Sequence, residues 1–355
     1  MRRRDFLMGA LAIAASRARA VEGYPAVEKG VKLAFPRDFG SHPLFRNEWW
    51  YVTGWLRTTA GREFGMQITF FRNRPRIGEE NPSRFAPKQL LFAHAALSDP
   101  RVGRLLHDQR AARAGFGLAE AAQGATDVRI DDWSLKADGE RTFGRIAARE
   151  FDFALEFRST QPILLEGEAG FSRKGPRPQQ ASFYYSRPHL SVSGTVGVKG
   201  ERHAAGGDAW LDHEWSSEPL APEAMGWDWV GLNLSDGGAL MAFRMRDRNG
   251  GKFWAGGSYR TASGRTRVLA PGEVNFQALK TWRSPRTGTQ YPIAMRVGAG
   301  DLQFELEPLM DDQELDSRAS TGTIYWEGAV RARRNGRVVG LGYLELTGYW
   351  KRLEL

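Results

Sequence analysis

A short stretch near the middle of the chain combines carboxyl, imidazole and indole groups. Trp210, Asp212, His213, Glu214 and Trp215 lie within six residues of one another. An unpaired buried charge is unfavourable, so core packing alone seldom produces this mixture. A carboxylic acid or an imidazolium in an apolar pocket has a displaced pKa and can hold or deliver a proton. The stretch therefore predicts either acid–base chemistry or a structural contact in which a carboxylate fixes the tautomer of His213.

The secondary structure of this stretch decides which of its side chains can act together. Alternate side chains of a β-strand point to opposite faces. His213 and Trp215 would then share one face, whereas Asp212 and Glu214 would share the other. In a regular strand the acid partner of His213 must come from elsewhere, and Glu48 is the first candidate. If the strand bends, Asp212 and His213 can line one pocket.

Aromatic strands elsewhere supply candidate walls for a ligand cavity. The chain has 12 tryptophans, and several lie in pairs at strand spacing. A cavity with aromatic walls and a few convergent polar groups is typical of sites for apolar molecules. Ordinary packing in the core or at its rim is the alternative for each single ring. The candidate substrate-binding residues are His42, Trp49, Trp50, Tyr51, His94, Tyr185, Trp227, Asp228 and Trp229.

Composition and spacing argue against several classes of site. The absence of cysteine excludes disulfides, thiolate metal sites and cysteine nucleophiles. The six histidines show no tight pair such as HExxH, so we predict no metal site, although separate histidines can still assemble one in space. No G-x-S-x-G elbow, phosphate loop or dinucleotide fingerprint occurs. Basic residues are scattered among acids, which argues against a nucleic-acid surface.

The N-terminus predicts export. Residues 1–20 contain a basic segment, an apolar run and a final Ala-Arg-Ala, which is the order found in signal peptides. The segment Arg3–Leu7 (Arg-Arg-Asp-Phe-Leu) also resembles the twin-arginine export pattern, with the general secretory route as the alternative. We expect a periplasmic or secreted protein that starts near Val21 and has no transmembrane segment. Without the five arginines and one aspartate of the leader, the formal net charge falls from +9 to +5.

The rest of the sequence predicts an all-β fold with little helix. Apolar and polar residues alternate cleanly over 151–157, and Asn335-Gly336 is the strongest hairpin turn in the chain. Many short strands of this kind favour antiparallel barrels or sandwiches. We predict a helix only at 104–122 and a long loop at 171–180.

The length of 355 residues fits two domains. We place the leader at 1–20, an N-terminal domain at 21–216 and a C-terminal domain at 217–355. The boundary falls directly after the central acidic and aromatic stretch.

Three motifs carry a family resemblance. The first joins Phe-Pro-Arg-Asp-Phe-Gly-Ser-His at 35–42 to Glu-Trp-Trp-Tyr-Val-Thr-Gly at 48–54. The second is Phe-Tyr-Tyr-Ser-Arg-Pro at 183–188, and the third is Ala-Trp-Leu-Asp-His-Glu-Trp at 209–215. Together they resemble the carotenoid 1,2-hydratase (hydroxyneurosporene synthase) family and its secreted relatives of the AttH type. The resemblance implies two tandem lipocalin-like (calycin) β-barrel domains, an isoprenoid or lipid ligand at a barrel mouth or domain interface, and no organic cofactor.

The resemblance also implies catalytic residues. In the hydratases, the histidine and the tryptophan of the third motif are associated with catalysis, which carries over to His213 and Trp215. A later catalytic aspartate of the family has only Asp228 and Asp236 as loose counterparts here.

Two functions follow as hypotheses. In the first, Asp212, Glu214 or protonated His213 protonates an apolar alkene, the ring of Trp215 or Trp50 stabilises the cation, and water completes the addition. Ester or lipid hydrolysis by the same groups is a variant. In the second, the protein is a non-catalytic lipid carrier that serves a membrane transporter of the ABC exporter type.

Overall fold

In the computed structural model, residues 23–354 are described, so the predicted leader lies outside this part of the chain. Residues 23–354 form 23 β-strands in two antiparallel sheets, one 3-10 turn (Arg37–Phe39) and no α-helix. This architecture confirms the predicted all-β fold and is consistent with two lipocalin-like barrels. None of the described segments forms a helix that is long and apolar enough to cross a membrane.

The first sheet is a nearly closed barrel of 13 strands. They are β1 (Asn47–Thr58), β2 (Glu63–Asn73), β3 (Leu90–Ser98), β4 (Leu106–Arg113), β5 (Ala119–Ala121), β6 (Asp127–Ile130), β7 (Trp133–Asp138), β8 (Arg141–Ala147), β9 (Phe151–Ser159), β10 (Leu164–Leu165), β11 (Phe171–Arg173), β12 (Ala181–Val198) and β13 (Glu201–Ser216). Their order is β4-β3-β2-β1-β13-β12-β9-β8-β7-β6-β5, and β10 and β11 pair with β12. Strands β3 and β4 approach β6, which brings the two edges of the sheet together.

The second sheet contains the remaining ten strands. They are β14 (Gly226–Leu234), β15 (Ala239–Arg246), β16 (Lys252–Arg260), β17 (Thr266–Leu269), β18 (Val274–Arg283), β19 (Gln290–Ala299), β20 (Leu302–Pro308), β21 (Glu314–Asp316), β22 (Ile324–Arg334) and β23 (Arg337–Leu346). Their order is β17-β16-β15-β14-β23-β22-β20-β19-β18, and β21 pairs with β22.

The predicted helix at 104–122 is wrong. This segment forms β4 and β5 instead, and β4 pairs along its length with β3. Between the two strands Gly115, Phe116 and Gly117 have φ angles of 104°, 58° and 74°. Successive left-handed residues are incompatible with a right-handed helix, so the backbone must turn here.

Two turn predictions have different outcomes. The hairpin at Asn335-Gly336 is confirmed: it joins β22 to β23, with φ angles of 51° and 76° as a type I′ turn requires. The predicted loop at 171–180 is wrong at its start, because β11 pairs there with β12.

Strands β1 and β13 are buried on both faces because they lie between the barrel interior and the second sheet. One face contributes Trp50, Leu211 and Trp215 to the barrel core. The other face contributes Tyr51 and Trp210 to an apolar cluster that also contains residues of β14, β15 and β23. At this interface, Trp55 Nε1 donates a hydrogen bond to the Gly342 carbonyl at 2.9 Å.

Candidate active site between the two sheets

A cavity of about 320 Å³ lies between the outer face of the first sheet and the second sheet. This volume is sufficient for one small molecule. Both sheets contribute aromatic rings to its wall, namely Trp49, Tyr51, Phe71, Phe92, Tyr184, Trp227, Trp229, Phe243 and Tyr325. The wall is therefore suited to an apolar ligand.

Two carboxyl groups enter the cavity from the second sheet. Glu327 and Glu345 are directly opposite each other on β22 and β23. Burial, reinforced by the neighbouring Glu345, raises the pKa of Glu327 well above its ordinary value, and burial raises the pKa of Glu345 to about 7. Two adjacent buried carboxyls cannot both ionise without strong repulsion, so this pair holds at least one proton near neutral pH.

Within the described part of the chain, one oxygen of Glu327 is buried without a hydrogen-bond partner of normal geometry. Its Oε2 accepts a hydrogen bond from Gln67 Nε2 at 2.8 Å. The Tyr51 hydroxyl lies beside the same carboxyl. However, neither that hydroxyl nor Glu327 Oε1 makes a hydrogen bond of normal geometry within residues 23–354. Unpartnered buried polar atoms are rare, and these two lie beside each other at the cavity wall.

Asp212 faces the cavity from the first sheet and is held by three donors. Its Oδ2 accepts from the Tyr184 hydroxyl at 2.7 Å, and its Oδ1 accepts from Trp210 Nε1 at 2.6 Å and Ser186 Oγ at 2.5 Å. Burial outweighs these hydrogen bonds and, together with the charge of Glu214, raises the pKa of Asp212 to about 7. Asp212 is thus poised between its neutral and ionised forms at physiological pH.

A second buried carboxyl, Glu166, is linked to Asp212 through one hydroxyl. Ser186 Oγ lies 2.8 Å from Glu166 Oε1 and 2.5 Å from Asp212 Oδ1. A hydroxyl has one proton and can donate to only one of them. The other contact therefore needs a protonated carboxyl. Tyr184 and Trp210 favour the Asp212 anion, which places the proton on Glu166, and burial accordingly raises the pKa of Glu166 to about 8.

Glu214 and Lys174 form an ion pair at the cavity wall. Lys174 Nζ lies 2.9 Å from Glu214 Oε1, and both side chains are buried. The ammonium also lies over the rings of Tyr184 and Phe243, 4.7 and 4.4 Å from their centroids. The ammonium is thus held by one carboxylate and two aromatic rings.

His213 points away from the cavity into the barrel. Its Nε2 lies 2.9 Å from Glu48 Oε1, and its Nδ1 lies 3.0 Å from the Tyr185 hydroxyl. Burial lowers the pKa of His213 to about 4, so the ring is neutral and donates to Glu48. The acid partner thus comes from another segment, as regular strand alternation requires, and it is Glu48 of β1, whereas Asp212 lies on the opposite face.

The same network includes His42 and Arg72. His42 Nδ1 lies 2.7 Å from Glu48 Oε1, and Arg72 Nε donates to Glu48 Oε2 at 2.7 Å. Burial opposes ionisation of Glu48, but the hydrogen bonds from His213 and His42 and the charge of Arg72 hold its pKa below the ordinary value. His42 stacks on Trp215 with ring centroids 3.7 Å apart.

His42, Glu48 and His213 also have a spacing that a metal ion could use. Their potential ligand atoms lie within 4.8 Å of one another. An ion there would have to displace two N–H donors and lie next to the guanidinium of Arg72, whereas the hydrogen-bonded network satisfies every group without one. The prediction that the protein has no metal site stays a prediction.

His94 lies at the cavity in a neutral network. Its Nδ1 is 2.8 Å from the Tyr325 hydroxyl and its Nε2 is 2.9 Å from Ser320 Oγ. Ser320 Oγ in turn donates to Gln109 Oε1 at 2.6 Å. Burial lowers the pKa of His94 to about 3. Among the described residues, no carboxylate is hydrogen-bonded to His94 to support an imidazolium. His94 is therefore poorly suited to activate Ser320 as a nucleophile.

Asp228 also lies away from the cavity. Its carboxylate binds the guanidinium groups of Arg244 and Arg246, the latter at 3.0 Å, and accepts from the Tyr349 hydroxyl at 2.9 Å. These partners explain the buried position of the Asp228 carboxylate in structural terms.

The predicted site residues thus divide into two groups, and their roles stay predictions. Those that line the cavity are Trp49, Tyr51, His94, Asp212, Glu214, Trp227 and Trp229. Those that lie elsewhere are His42, Trp50, Tyr185, His213, Trp215 and Asp228. Glu48 borders the cavity, but its carboxylate is engaged inside the barrel.

The polar residues that the sequence did not predict include Lys174, Glu327 and Glu345 at the cavity wall, and Glu166 and Ser186 behind Asp212. A signal for Glu327 was present, because Tyr325-Trp326-Glu327 places an acid among aromatic strand residues, as Glu48-Trp49-Trp50 does. The other four have no comparable local pattern.

The fold and the cavity define a class of protein in which two lipocalin-like antiparallel sheets enclose an aromatic cavity. Within that class, the chain belongs to the AttH-like family, whose model matches residues 26–349. A search of curated protein sequences finds no match.

Solved structures agree with this assignment. An AttH protein from Nitrosomonas europaea is 53% identical, with a TM-score of 0.86 over 92% of this chain and 99% of that chain. Kievitone hydratase from Nectria haematococca is 15% identical, with a TM-score of 0.69 over 93% and 98% of the two chains. CghA is 12% identical, with a TM-score of 0.53 over 92% and 97%. At these low identities the last two show a shared fold alone.

Proposed function

We propose that this protein binds a long apolar molecule, an isoprenoid or another lipid, between its two sheets and adds water to a carbon–carbon double bond. The observation that carries the proposal is the neutral Glu327 carboxyl, which has an unpartnered oxygen in an aromatic cavity. Protonation of an alkene needs an acid that is protonated at neutral pH and shielded from water. Burial supplies both properties here.

The reaction begins with proton transfer from Glu327 to one alkene carbon, which leaves a carbocation and the Glu327 carboxylate. The rings of Trp227 and Trp229 stabilise the cation through cation–π attraction. Asp212, which faces Glu327 and Glu345 from the first sheet, adds negative charge near the cation. A neutral alkene gains no such stabilisation, so the site favours the transition state over the substrate.

Water then bonds to the cation through its oxygen and loses one proton. The Glu327 carboxylate takes up that proton, which restores the starting state. No proton or electron is consumed overall, and the product is an alcohol. The family resemblance to carotenoid 1,2-hydratases and the name of kievitone hydratase support hydration as the reaction class.

We also propose that the protein acts outside the cytoplasm. The basic, apolar and small-residue order of residues 1–20 supports export by the twin-arginine route and a periplasmic or secreted location.

A lipid carrier is the second candidate. The observation that favours it is the placement of His213 and Trp215, the residues that the resemblance associates with catalysis, on the barrel side of β13. A carrier needs the aromatic cavity but no chemistry, and it would deliver its ligand to a membrane transporter.

Native mass spectrometry of ligands that copurify with the protein separates these functions. Glu327→Gln keeps the shape of the side chain but cannot donate the proton. We expect the variant to retain the alkene substrate and the wild type to retain a product heavier by one water molecule. Glu307→Gln, an exposed glutamate on β20, is the matched control and should behave as the wild type. The same intact lipid in all three proteins would establish the carrier and exclude hydration.

A further inference from the structure

Exposed apolar side chains are concentrated at one end of the first sheet. Of the nine large apolar residues that are strongly exposed within residues 23–354, five lie there: Leu44, Ile77, Phe85, Phe116 and Leu118. They occupy the segment before β1 and the β2–β3 and β4–β5 connections. Because β1 to β4 are successive antiparallel neighbours, these segments meet at the same end of the sheet. Exposed apolar residues that cluster in this way mark interaction surfaces.

The centre of this cluster is ordered. The rings of Phe85 and Phe116 stack with centroids 4.8 Å apart, although they belong to different connections. The guanidinium of Arg113 lies 4.7 and 4.9 Å from the two centroids, and Arg84 lies 5.4 Å from that of Phe116. Arg113 also donates to the Phe85 carbonyl at 2.6 Å. Phe85 is nevertheless 64% exposed, so the stack presents its rings to the surroundings.

The charge around the cluster is positive. Four basic residues of these segments form no ion pair with any other residue of the described part: Arg46, Arg84, Lys88 and Arg113. Of the acids in these segments, Glu79 is already paired with arginines at 2.6 and 3.0 Å. Glu80 is therefore the acid that is left to offset the four basic residues. Exposed rings beside unpaired arginines fit the interface of an anionic bilayer, where rings enter the headgroup region and guanidinium groups bind phosphates.

We propose that this end of the first sheet is a docking surface for an anionic lipid bilayer. The docking surface comprises Leu44, Ile77, Phe85, Phe116 and Leu118 together with Arg84 and Arg113. The inter-sheet cavity extends to the same end, because Asn47, Asn73 and Phe92 line it. The docking surface does not depend on the chemistry proposed for the cavity.

Vesicle flotation with the full chain tests the proposal. The probes are vesicles of phosphatidylcholine alone and of phosphatidylcholine with an equal amount of phosphatidylglycerol. We expect Phe85→Ser/Phe116→Ser to weaken binding to the mixed vesicles at least tenfold, since each ring loses its apolar contact. Val268→Ser/Leu279→Ser removes two apolar residues of the second sheet that are 45% and 44% exposed, and should bind as the wild type. The leader is common to all these proteins and cancels in the comparison.

The charge component has its own variant. Arg84→Glu/Arg113→Glu should weaken binding to the mixed vesicles by more than about fivefold per arginine. Loss of one attractive charge alone accounts for about that factor, and reversal of the charge weakens binding further. It should change binding to phosphatidylcholine much less. Circular dichroism of each variant verifies the fold.

Two results would overturn the proposal. One is equal binding of the wild type and Phe85→Ser/Phe116→Ser to mixed vesicles. The other is a wild-type dimer that the same substitution dissociates in sedimentation velocity, because the cluster would then bind a second copy of the chain.

Discussion

Glu48 and His213 contact each other inside the first barrel, with Oε1 and Nε2 2.9 Å apart, and neither polar group points into the inter-sheet cavity. The contact runs diagonally between β1 and β13, because Glu48 is directly opposite Trp215 and His213 is directly opposite Trp50. Asp212, the sequence neighbour of His213, lies on the other side of the barrel wall. Two adjacent residues thus belong to different environments, and their substitution should have different consequences.

For His213 we expect a pH-dependent stability. Its pKa is about 4 in the folded protein and about 6.5 in an unfolded chain. As the pH falls through this window the unfolded chain takes up the proton first, so stability is lost on acidification. The loss should be about 3 kcal/mol between about pH 7 and pH 4.

Urea unfolding at several pH values measures this loss. His213→Gln should flatten the pH dependence, while the buried His94, with a pKa of about 3, retains its own contribution of the same sign. His203→Gln, at a half-exposed position, serves as control. An unchanged pH profile in His213→Gln would show that His213 is not held neutral.

Lys174 and Glu214 should be strongly coupled. Lys174→Met leaves the Glu214 carboxylate buried without its cation, which should cost about 3 to 5 kcal/mol of unfolding free energy. Adding Glu214→Gln should recover most of that loss, because no buried charge remains. Unfolding of the two single variants and the double variant gives the coupling energy.

The exposed pair of Lys29 and Glu168, 2.6 Å apart, provides the matched control. Lys29→Met should cost less than about 1 kcal/mol. Equal effects of Lys174→Met and Lys29→Met would mean that the Lys174–Glu214 pair is hydrated in solution.

Glu166 should destabilise the protein at alkaline pH. Its folded pKa of about 8 exceeds the value of about 4.3 in an unfolded chain. The contribution of Glu166 to the free energy of unfolding is therefore fully present below about pH 4. It is lost as the pH rises to about 8, at about 1.4 kcal/mol per pH unit. Glu166→Gln retains a donor for Ser186 and should be more stable than the wild type near pH 8.

Thermal unfolding across this range compares Glu166→Gln with Glu168→Gln, an exposed neighbour. Only the first should change the pH profile. Parallel profiles for the wild type and Glu166→Gln would show that Glu166 and Asp212 do not share a proton.

Asp228 should be important for stability and not for the ligand. Asp228→Asn leaves the buried Arg246 and its neighbour Arg244 without their counter-charge, which we expect to cost about 3 to 5 kcal/mol. Native mass spectrometry should find the same bound ligand as in the wild type. A changed ligand in a variant of unchanged stability would assign Asp228 to the substrate site.

The fold and the faces of β13 follow from local sequence patterns, because period-two alternation and hairpin turns are encoded by neighbours in the chain. The same alternation requires His213 to take its acid partner from another segment, whereas the identity of that partner as Glu48 depends on the pairing of β1 with β13. The positions of the Glu327 and Glu345 carboxyls do not follow from local sequence patterns, because these groups reach the cavity only through the packing of the second sheet on β1 and β13. The bridge from Glu166 through Ser186 likewise depends on the path of the loop before β11.

The missed strand at β4 has a related cause. Residues 104–122 contain good helix formers, but the exposed edge of β3 captures this segment, and a tertiary contact overrides local propensity.

The shared wall formed by β1 and β13 limits how this architecture can be modified. Each half of the chain, expressed alone, would expose one side of a common apolar seam, such as Trp210 and Tyr51 or Trp229 and Phe243. The halves are therefore poor candidates for recombination as independent modules. A single-residue insertion in β13 would also exchange the residues of its two faces, so that the barrel interior would receive carboxylates and the cavity would receive the imidazole.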